Sequence, residues 1–336
     1  MSDTGLDALF QRISQLKAVC IGDVVLDRFV TGDAQRVSRE APVITLSQGA
    51  VTTAPGAVGN VARNAAALGA TVSLVTVVGD DPEGQGIVSA LGAAELADLD
   101  VIAASGRVTP TKTRFVARGQ QLFCVDRDPE GPLGAEDLRR LTEAVVDSIV
   151  EADVVLLVDQ DRGALPRTVC EAAISAARRA NTPLIVDPRG RDFTRYDGAS
   201  VIKPNAAELA IAAGLPTESD LEVEAALSAA LARLSATDCI VVTRGPDGMS
   251  TLSRGAAVRH TPQVVRGVKD AAGAGDTALA ALGLAVAAGA DPLEAMVLAD
   301  IAATVAISKA GVAAPTGAEV MSAARSGAVP LALGCG

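Results

Sequence analysis

The chain has 336 residues, and its 49% hydrophobic content, mostly Ala, Val and Leu, is ample for a large core in one or two domains. A formal net charge of −11, no basic run and only 2% aromatic residues exclude the basic stripes and stacking platforms of nucleic-acid binding and the polybasic patches that seek anionic membranes. No apolar run reaches the roughly 20 residues of a membrane span, the five cysteines form no Cys-x-x-Cys pair, and the sole histidine, His260, has no sequence support as a catalytic partner, so a cytoplasmic protein with buried free thiols is expected.

In chain order, short β-branched runs at 18–22, 71–78, 154–158, 184–186, 201–202 and 239–243 predict strands. Ala-rich patterns at 58–68, 84–91, 135–148, 165–180, 206–213 and 221–234 predict the helices between them. Continuously apolar strands alternating with helices indicate an α/β fold with a mostly parallel sheet covered on both faces. Ligands in such folds gather at the carboxyl ends of the strands, and Asp23, Asp27, Asp159, Asp187, Lys203, Asn205 and Thr243 all lie just beyond predicted strands or at their ends. Two segments, 28–53 and 109–128, break the rhythm with alternating apolar and polar residues, as in Pro42-Val43-Ile44-Thr45-Leu46 and Thr113-Arg114-Phe115-Val116-Ala117. Both read as antiparallel strands outside the main sheet, forming either a small β-lid over its carboxyl edge or two ordinary hairpins packed on the core. With no repeat or low-complexity linker, one domain over 1–336 is expected, with lid segments near 28–53 and 109–128.

The stretch Asp270-Ala271-Ala272-Gly273-Ala274-Gly275-Asp276-Thr277 opens a long apolar helix. Small residues bring unpaired N–H groups close to a ligand, and with the helix dipole they make a site for a phosphate or a developing anion. A carboxylate in such a site is explained if Asp276 removes a proton from a hydroxyl that attacks phosphorus. The plainer alternative is an ordinary glycine loop with Asp276 as the helix N-cap.

Gly273-Ala274-Gly275-Asp276 resembles the C-terminal signature of the ribokinase-like (PfkB) carbohydrate kinases. Asn205-Ala206-Ala207-Glu208 is similar to that family's Asn-x-x-Glu motif, and Thr243-Arg244-Gly245-Pro246-Asp247-Gly248 to its nucleotide loop. Gly56 through Asn60, with Leu68-Gly69 and Gly79-Asp80-Asp81-Pro82-Glu83-Gly84, resembles the sugar-side signature. Within the family, Gly22 through Arg28, Arg36 through Val43, Lys112 through Leu122 and Asp187 through Phe193 resemble the kinases of D-glycero-β-D-manno-heptose 7-phosphate.

The resemblance implies a three-layer ribokinase-like sandwich and an ATP- and Mg²⁺-dependent kinase for the anomeric hydroxyl of a heptose 7-phosphate. It makes Asp276 the general base, with the amides of Ala274, Gly275 and Asp276, next to Gly273, holding the transferred phosphoryl group. Lys203, Asn205, Thr243, Gly245 and Gly248 fall on the nucleotide, and Glu208 on Mg²⁺, acting through water. Without its neighbours, Glu208 would read as a first-turn acid favoured by the helix dipole. Asp23, Asp27, Gly56 and Asn60 fall on the sugar, although the two acids and Asn60 equally suit loop capping. Arg118, Arg162 and Arg189 are the candidate cations for the 7-phosphate, or else structurally paired arginines.

Two departures bear on the sugar: Gly56-Ala57 stands where the family has two glycines and Val58-Gly59 where it has small Ala residues, and Val158-Asp159-Gln160-Asp161-Arg162-Gly163 lacks the heptose kinases' Tyr; a third, Asp270-Ala271-Ala272, loses a hydroxyl near the phosphates. A kinase for ribose or a fructose phosphate is therefore the first rival, and an inactive sugar-phosphate sensor the second. The resemblance also implies a homodimer through the lid. Some relatives fuse a nucleotidyltransferase after the kinase; here the chain ends at Gly336, so a separate adenylyltransferase is the expected downstream partner.

Overall fold

The computed structural model describes residues 3–94, 96–261, 272–309 and 311–326. Asp270 and Ala271, from the glycine-rich stretch, and Cys335 lie outside them. The first half runs α1 (Asp3–Ile13), β1 (Lys17–Val37), β2 (Ile44–Ala57), α2 (Val58–Ala67), β3 (Thr71–Gly79), α3 (Pro82–Gly92), β4 (Asp98–Ala104), β5 (Thr111–Ala117), β6 (Gln120–Arg127) and α4 (Ala135–Ile149). The second runs β7 (Val154–Val158), α5 (Arg167–Ala180), β8 (Leu184–Asp187), β9 (Val201–Ile202), α6 (Ala206–Ala213), α7 (Asp220–Ala232), β10 (Cys239–Thr243), β11 (Met249–Ser253), β12 (Arg259–His260), α8 (Ala274–Ala287), α9 (Pro292–Ile307) and α10 (Gly317–Arg325).

The main sheet has the order β12-β11-β10-β9-β8-β7-β1-β3-β4, parallel from β4 to β10, with β11 and β12 added antiparallel. Alternate residues of a strand face opposite sides, and both sides are apolar here. Ala18 and Cys20 of β1 and Val154, Leu156 and Val158 of β7 join one buried cluster with α2, α8 and α9. Val19, Ile21, Val155 and Leu157 join a second with α4, α5 and α7. The result is the expected three-layer α/β sandwich with a mostly parallel central sheet. Strand order departs in opposite directions from the β1–β7 pair, so a crevice opens there at the carboxyl edge.

The lid differs from expectation in one respect. β1 does not stop at the sheet edge but continues through Val37, pairing antiparallel with β2 and parallel with β5, which turns back as β6. The expected antiparallel pairs are present, but the contact joining them is parallel, because β1 and β5 both leave the same edge in the same direction. Gly22 allows the departure: at φ +148 it lies so close to β7 that a Cβ would stand 2.1 Å from the Val158 carbonyl oxygen. The thiol expectation also needs correcting: Cys20, Cys170 and Cys239 are buried, but Cys124 is exposed on β6 because both faces of that strand meet solvent.

Candidate active site

Between the lid and the carboxyl edge lies a cavity of about 230 Å³ whose wall includes Asp27, Lys112, Arg114, Gln160, Arg162, Arg189, Gly273 and Asp276. Asp27 reaches it from the lid half of β1 and is ion-paired with Arg114 of β5, which also stacks over Phe29. Gly56 makes room for that carboxylate, since a Cβ there would lie 2.1 Å from Asp27 Oδ2.

Asp23, four residues earlier, has a different role from the one expected. It is 2% exposed, and its oxygens accept from the backbone amides of Gln160 and Arg162 (2.8 and 3.1 Å) and of Ala164 (2.9 Å). Those amides leave Asp23 off the cavity wall, where it caps the 160–164 loop that carries two of the lining residues.

At the opposite wall α8 begins at Ala274, with Gly273 in the N-cap position at φ +82 and no side-chain cap. The first-turn amides of Ala274, Gly275 and Asp276 therefore start a helix whose positive end faces the cavity. Asp276 is not the N-cap but stands within the first turn, half-buried. Burial pushes its carboxyl up to about 7, opposed by a 2.7 Å hydrogen bond donated by Asn60 Nδ2; nearby Asp187 and Asp27 add to the rise and Lys203 counters it. Asn60 itself is 1% exposed and stands behind Asp276 rather than on the cavity wall where a sugar hydroxyl would reach it.

The residues expected on the nucleotide gather at the ends of β9 and β10. Asn205 and Glu208 form a reciprocal capping box at the start of α6, each side chain accepting from the other's amide at 2.9 Å. A parallel bridge joins Asn205 to Thr243, so the loop through Gly245 and Gly248 runs beside this turn. Lys203 is 2% exposed and paired with Asp187 at 2.7 Å. Glu208 has its other oxygen on Arg189 at 2.7 Å, and Arg189 also donates to Gln160 Oε1 at 2.7 Å. Burial raises the Glu208 carboxyl pKa, against the lowering by the Asn205 amide. Gln160, where the heptose kinases have Tyr, thus ties the β7 loop to Arg189.

The candidate cations separate. Arg162 and Arg189 line the cavity, Arg162 ion-paired with Asp128. Arg118 does not line it: it sits in the β5–β6 turn, 74% exposed and paired with Asp33 at 3.1 Å. Its place at the wall is taken by Lys112 and Arg114, six and four residues earlier in β5. Sequence reasoning passed over both as lid residues; their spacing two apart, which puts both on one face of the strand, was the available signal. Asn64 and Thr277, behind Asn60, were also missed.

The Ala57 departure has a structural consequence. Ala57 precedes α2 at φ 51 and ψ −123, a region that suits glycine and strains any residue with a Cβ. Ala57→Gly is expected to raise stability by about 1 kcal/mol, the relieved strain outweighing glycine's entropy. Urea midpoints measure it, and an unchanged or lower midpoint would show that Ala57 is unstrained.

A profile of the pfkB family carbohydrate kinases matches residues 15–318. The bifunctional protein HldE of Pelobacter propionicus is 38% identical over 323 residues, covering 96% of this chain and 66% of that protein. That of Gluconacetobacter diazotrophicus is 42% identical over 308 residues, covering 92% of this chain and 63% of its own length. The chain therefore spans slightly less than two thirds of these curated relatives. Among solved structures, Escherichia coli phosphofructokinase-2 in complex with potassium superposes with a TM-score of 0.78 at 20% identity, over 92% of this chain and 97% of that one. Arabidopsis thaliana ribokinase complexed with ribose and ATP gives 0.73 at 21% identity, over 92% and 98%. These two likenesses establish the ribokinase-like fold. Because the matched profile begins before β1 and ends within α10, it takes in nearly the whole described fold, and the chain belongs to the pfkB family of carbohydrate kinases, phosphotransferases acting on a sugar hydroxyl.

Proposed function

We propose that the chain is an ATP- and Mg²⁺-dependent kinase for the anomeric C1 hydroxyl of D-glycero-β-D-manno-heptose 7-phosphate, forming the 1,7-bisphosphate. The observation that carries the chemistry is Asp276, desolvated toward a pKa of about 7 beside the first-turn amides of α8, which no side chain of the described residues caps, and facing the cavity. A base poised near neutral pH suits proton removal from a sugar hydroxyl. The C1 oxygen attacks the γ-phosphorus in line, the bond from the γ-phosphorus to the β–γ bridging oxygen breaks to release ADP, and the hydroxyl proton passes to Asp276. The amides of Ala274, Gly275 and Asp276 hold the charge growing on the phosphoryl oxygens.

The donor set suits Mg²⁺ only through water, since both Glu208 oxygens are already engaged by Arg189 and the Asn205 amide. Held by Glu208-bound waters and the nucleotide's phosphates, the ion would neutralise phosphate charge. Asn205 and the Thr243–Gly248 loop, with Gly245, are proposed to flank the nucleotide. Lys203 is proposed to act from behind, through Asp187. The lid closes over the sugar and excludes water.

The cations Lys112, Arg114, Arg162 and Arg189 around one cavity support a substrate that already carries a phosphate. The choice of heptose rests on the lid and 187–193 segments of the sequence resemblance. A second reading, another sugar-phosphate kinase, is favoured by Gln160 and its bond to Arg189 in the cavity wall. Turnover of heptose 7-phosphate, fructose 6-phosphate and ribose with MgATP separates the two. The heptose phosphate is expected to lead in kcat/KM by about 100-fold or more, and equal turnover of either other sugar would overturn the assignment.

Val43, Ile44 and Val51 of the lid region and Phe123 and Val125 of β6 are exposed, which supports pairing of two lids in a homodimer. Adenylyl transfer to the product is proposed to belong to a nucleotidyltransferase activity outside this kinase fold.

A further inference from the structure

Asp276 is backed by a chain of buried polar groups that the catalytic reading leaves unused. Asn60 Nδ2 donates to Asp276 Oδ2 at 2.7 Å. Asn64 Nδ2 donates to the Asn60 backbone carbonyl at 2.8 Å and to Asn60 Oδ1 at 3.2 Å. The Thr277 hydroxyl donates to Asn64 Oδ1 at 2.8 Å, with the Gly273 carbonyl as its 3.1 Å alternative. Asn64 and Thr277 are fully buried and do not line the cavity.

We infer that Asn64 and Thr277 are positioning residues that select the charged form of Asp276 by fixing which end of the Asn60 amide faces it. The inference rests on the reading of Asp276 as the base. Its logic is donor–acceptor parity. A charged Asp276 only accepts, so it needs the Nδ2 end of Asn60. A protonated Asp276 accepts this bond more weakly on the same oxygen, and a proton carried on Oδ2 itself would need Asn60 Oδ1 as its partner, which requires the amide to flip. The flip would set Asn60 Nδ2 against Asn64 Nδ2, two donors about a hydrogen bond apart. Asn64 resists turning to relieve this, because the turned amide would set its Oδ1 against the Asn60 carbonyl and leave the Thr277 hydroxyl only its 3.1 Å Gly273 acceptor. The network thus penalises the protonated base and opposes the effect of burial. It also explains why a half-buried acid among the carboxylates Asp27 and Asp187 is still available as a base near neutral pH.

Asn64→Leu removes the donor that blocks the flip, and Asn64→Asp goes further by offering an acceptor to the flipped Nδ2. Thr277→Val leaves Asn64 Oδ1 without its hydroxyl donor, and Thr277→Ser restores it. The titration of Asp276 is read in the unliganded protein as the infrared carboxyl band that disappears in Asp276→Asn. Its midpoint is expected to rise by about one pH unit in Asn64→Leu, more in Asn64→Asp and less in Thr277→Val, with Thr277→Ser unchanged. With heptose 7-phosphate and MgATP, kcat should fall about tenfold at pH 6.5 and recover to within about threefold at pH 9. Recovery at high pH also shows that the variants are folded. A midpoint that stays put in Asn64→Leu and Thr277→Val, or a loss of rate equal at both pH values, would overturn the inference. Full activity in Asp276→Asn would instead overturn the base assignment on which it rests.

Discussion

Replacing Asp276 by Asn is expected to lower kcat by about 10³- to 10⁴-fold while leaving nucleotide affinity within about threefold. An amide keeps the shape and still accepts from Asn60, but it cannot take the hydroxyl proton. In the parent enzyme the rate should rise with pH through about 7 as the carboxyl ionises. The same shift makes a prediction about stability. The folded-state pKa lies above the usual value of 3.8, so between that value and about 7 the folded protein holds more protons than the unfolded chain. Stability therefore falls as pH rises through this window. Asn cannot ionise, so the variant escapes the loss. It should match the parent near pH 4 and exceed it at pH 8 by about 1–2 kcal/mol, discounted because the carboxyl has access to the cavity. Asp300, also raised to about 7 by burial, titrates in both proteins and cancels in the difference. Urea midpoints across pH, with a coupled ADP assay, measure both effects. A variant that turns over like the parent would remove the proposed base, and equal stabilities at pH 8 would remove the desolvation argument.

The second large effect is expected at Lys203. Its amine is buried and pairs at 2.7 Å with Asp187, whose side chain is itself mostly covered. Lys203→Met keeps much of the stem's packing but leaves the Asp187 carboxylate without its counter-charge, close to Asp276 and Glu208. Breaking a buried pair on one side costs about 3–5 kcal/mol, whereas removing both charges is far milder. Lys203→Met should therefore lower the urea midpoint sharply, and adding Asp187→Asn should recover most of the loss. An unchanged midpoint in the single variant, or no recovery in the double, would show that the pair does not stabilise the edge of the site.

The layered fold was legible because it is written in short periods. Continuously apolar runs such as Val154–Val158 have no face left for solvent, and that requires helices on both sides. The helix start at Asn205 and Glu208 was likewise visible as two residues three apart with a first-turn acid, while the reciprocal capping box they form came from the structure. The continuous β1 was harder to see. Residues 18–22 and 28–37 differ in pattern because the inner half of β1 is buried on both faces while beyond Asp27 only Val30 is buried, so a single strand looked like two elements.

What the sequence alone determined is the order of six main-sheet strands (β1, β3, β7, β8, β9 and β10) and the helices between them, the burial of both sheet faces and the small-residue start of α8, all consequences of local spacing and residue size; β4, β11 and β12 came from the structure. Only the tertiary structure decided which polar groups meet. Asp23 is occupied by amides about 140 residues away, Lys112 and Arg114 reach the cavity while Arg118 turns to Asp33, and Thr277 meets Asn64 across 213 residues. A hydrogen bond or ion pair is settled within about 3 Å, and which groups come that close depends on how the whole chain packs, information that no local period carries.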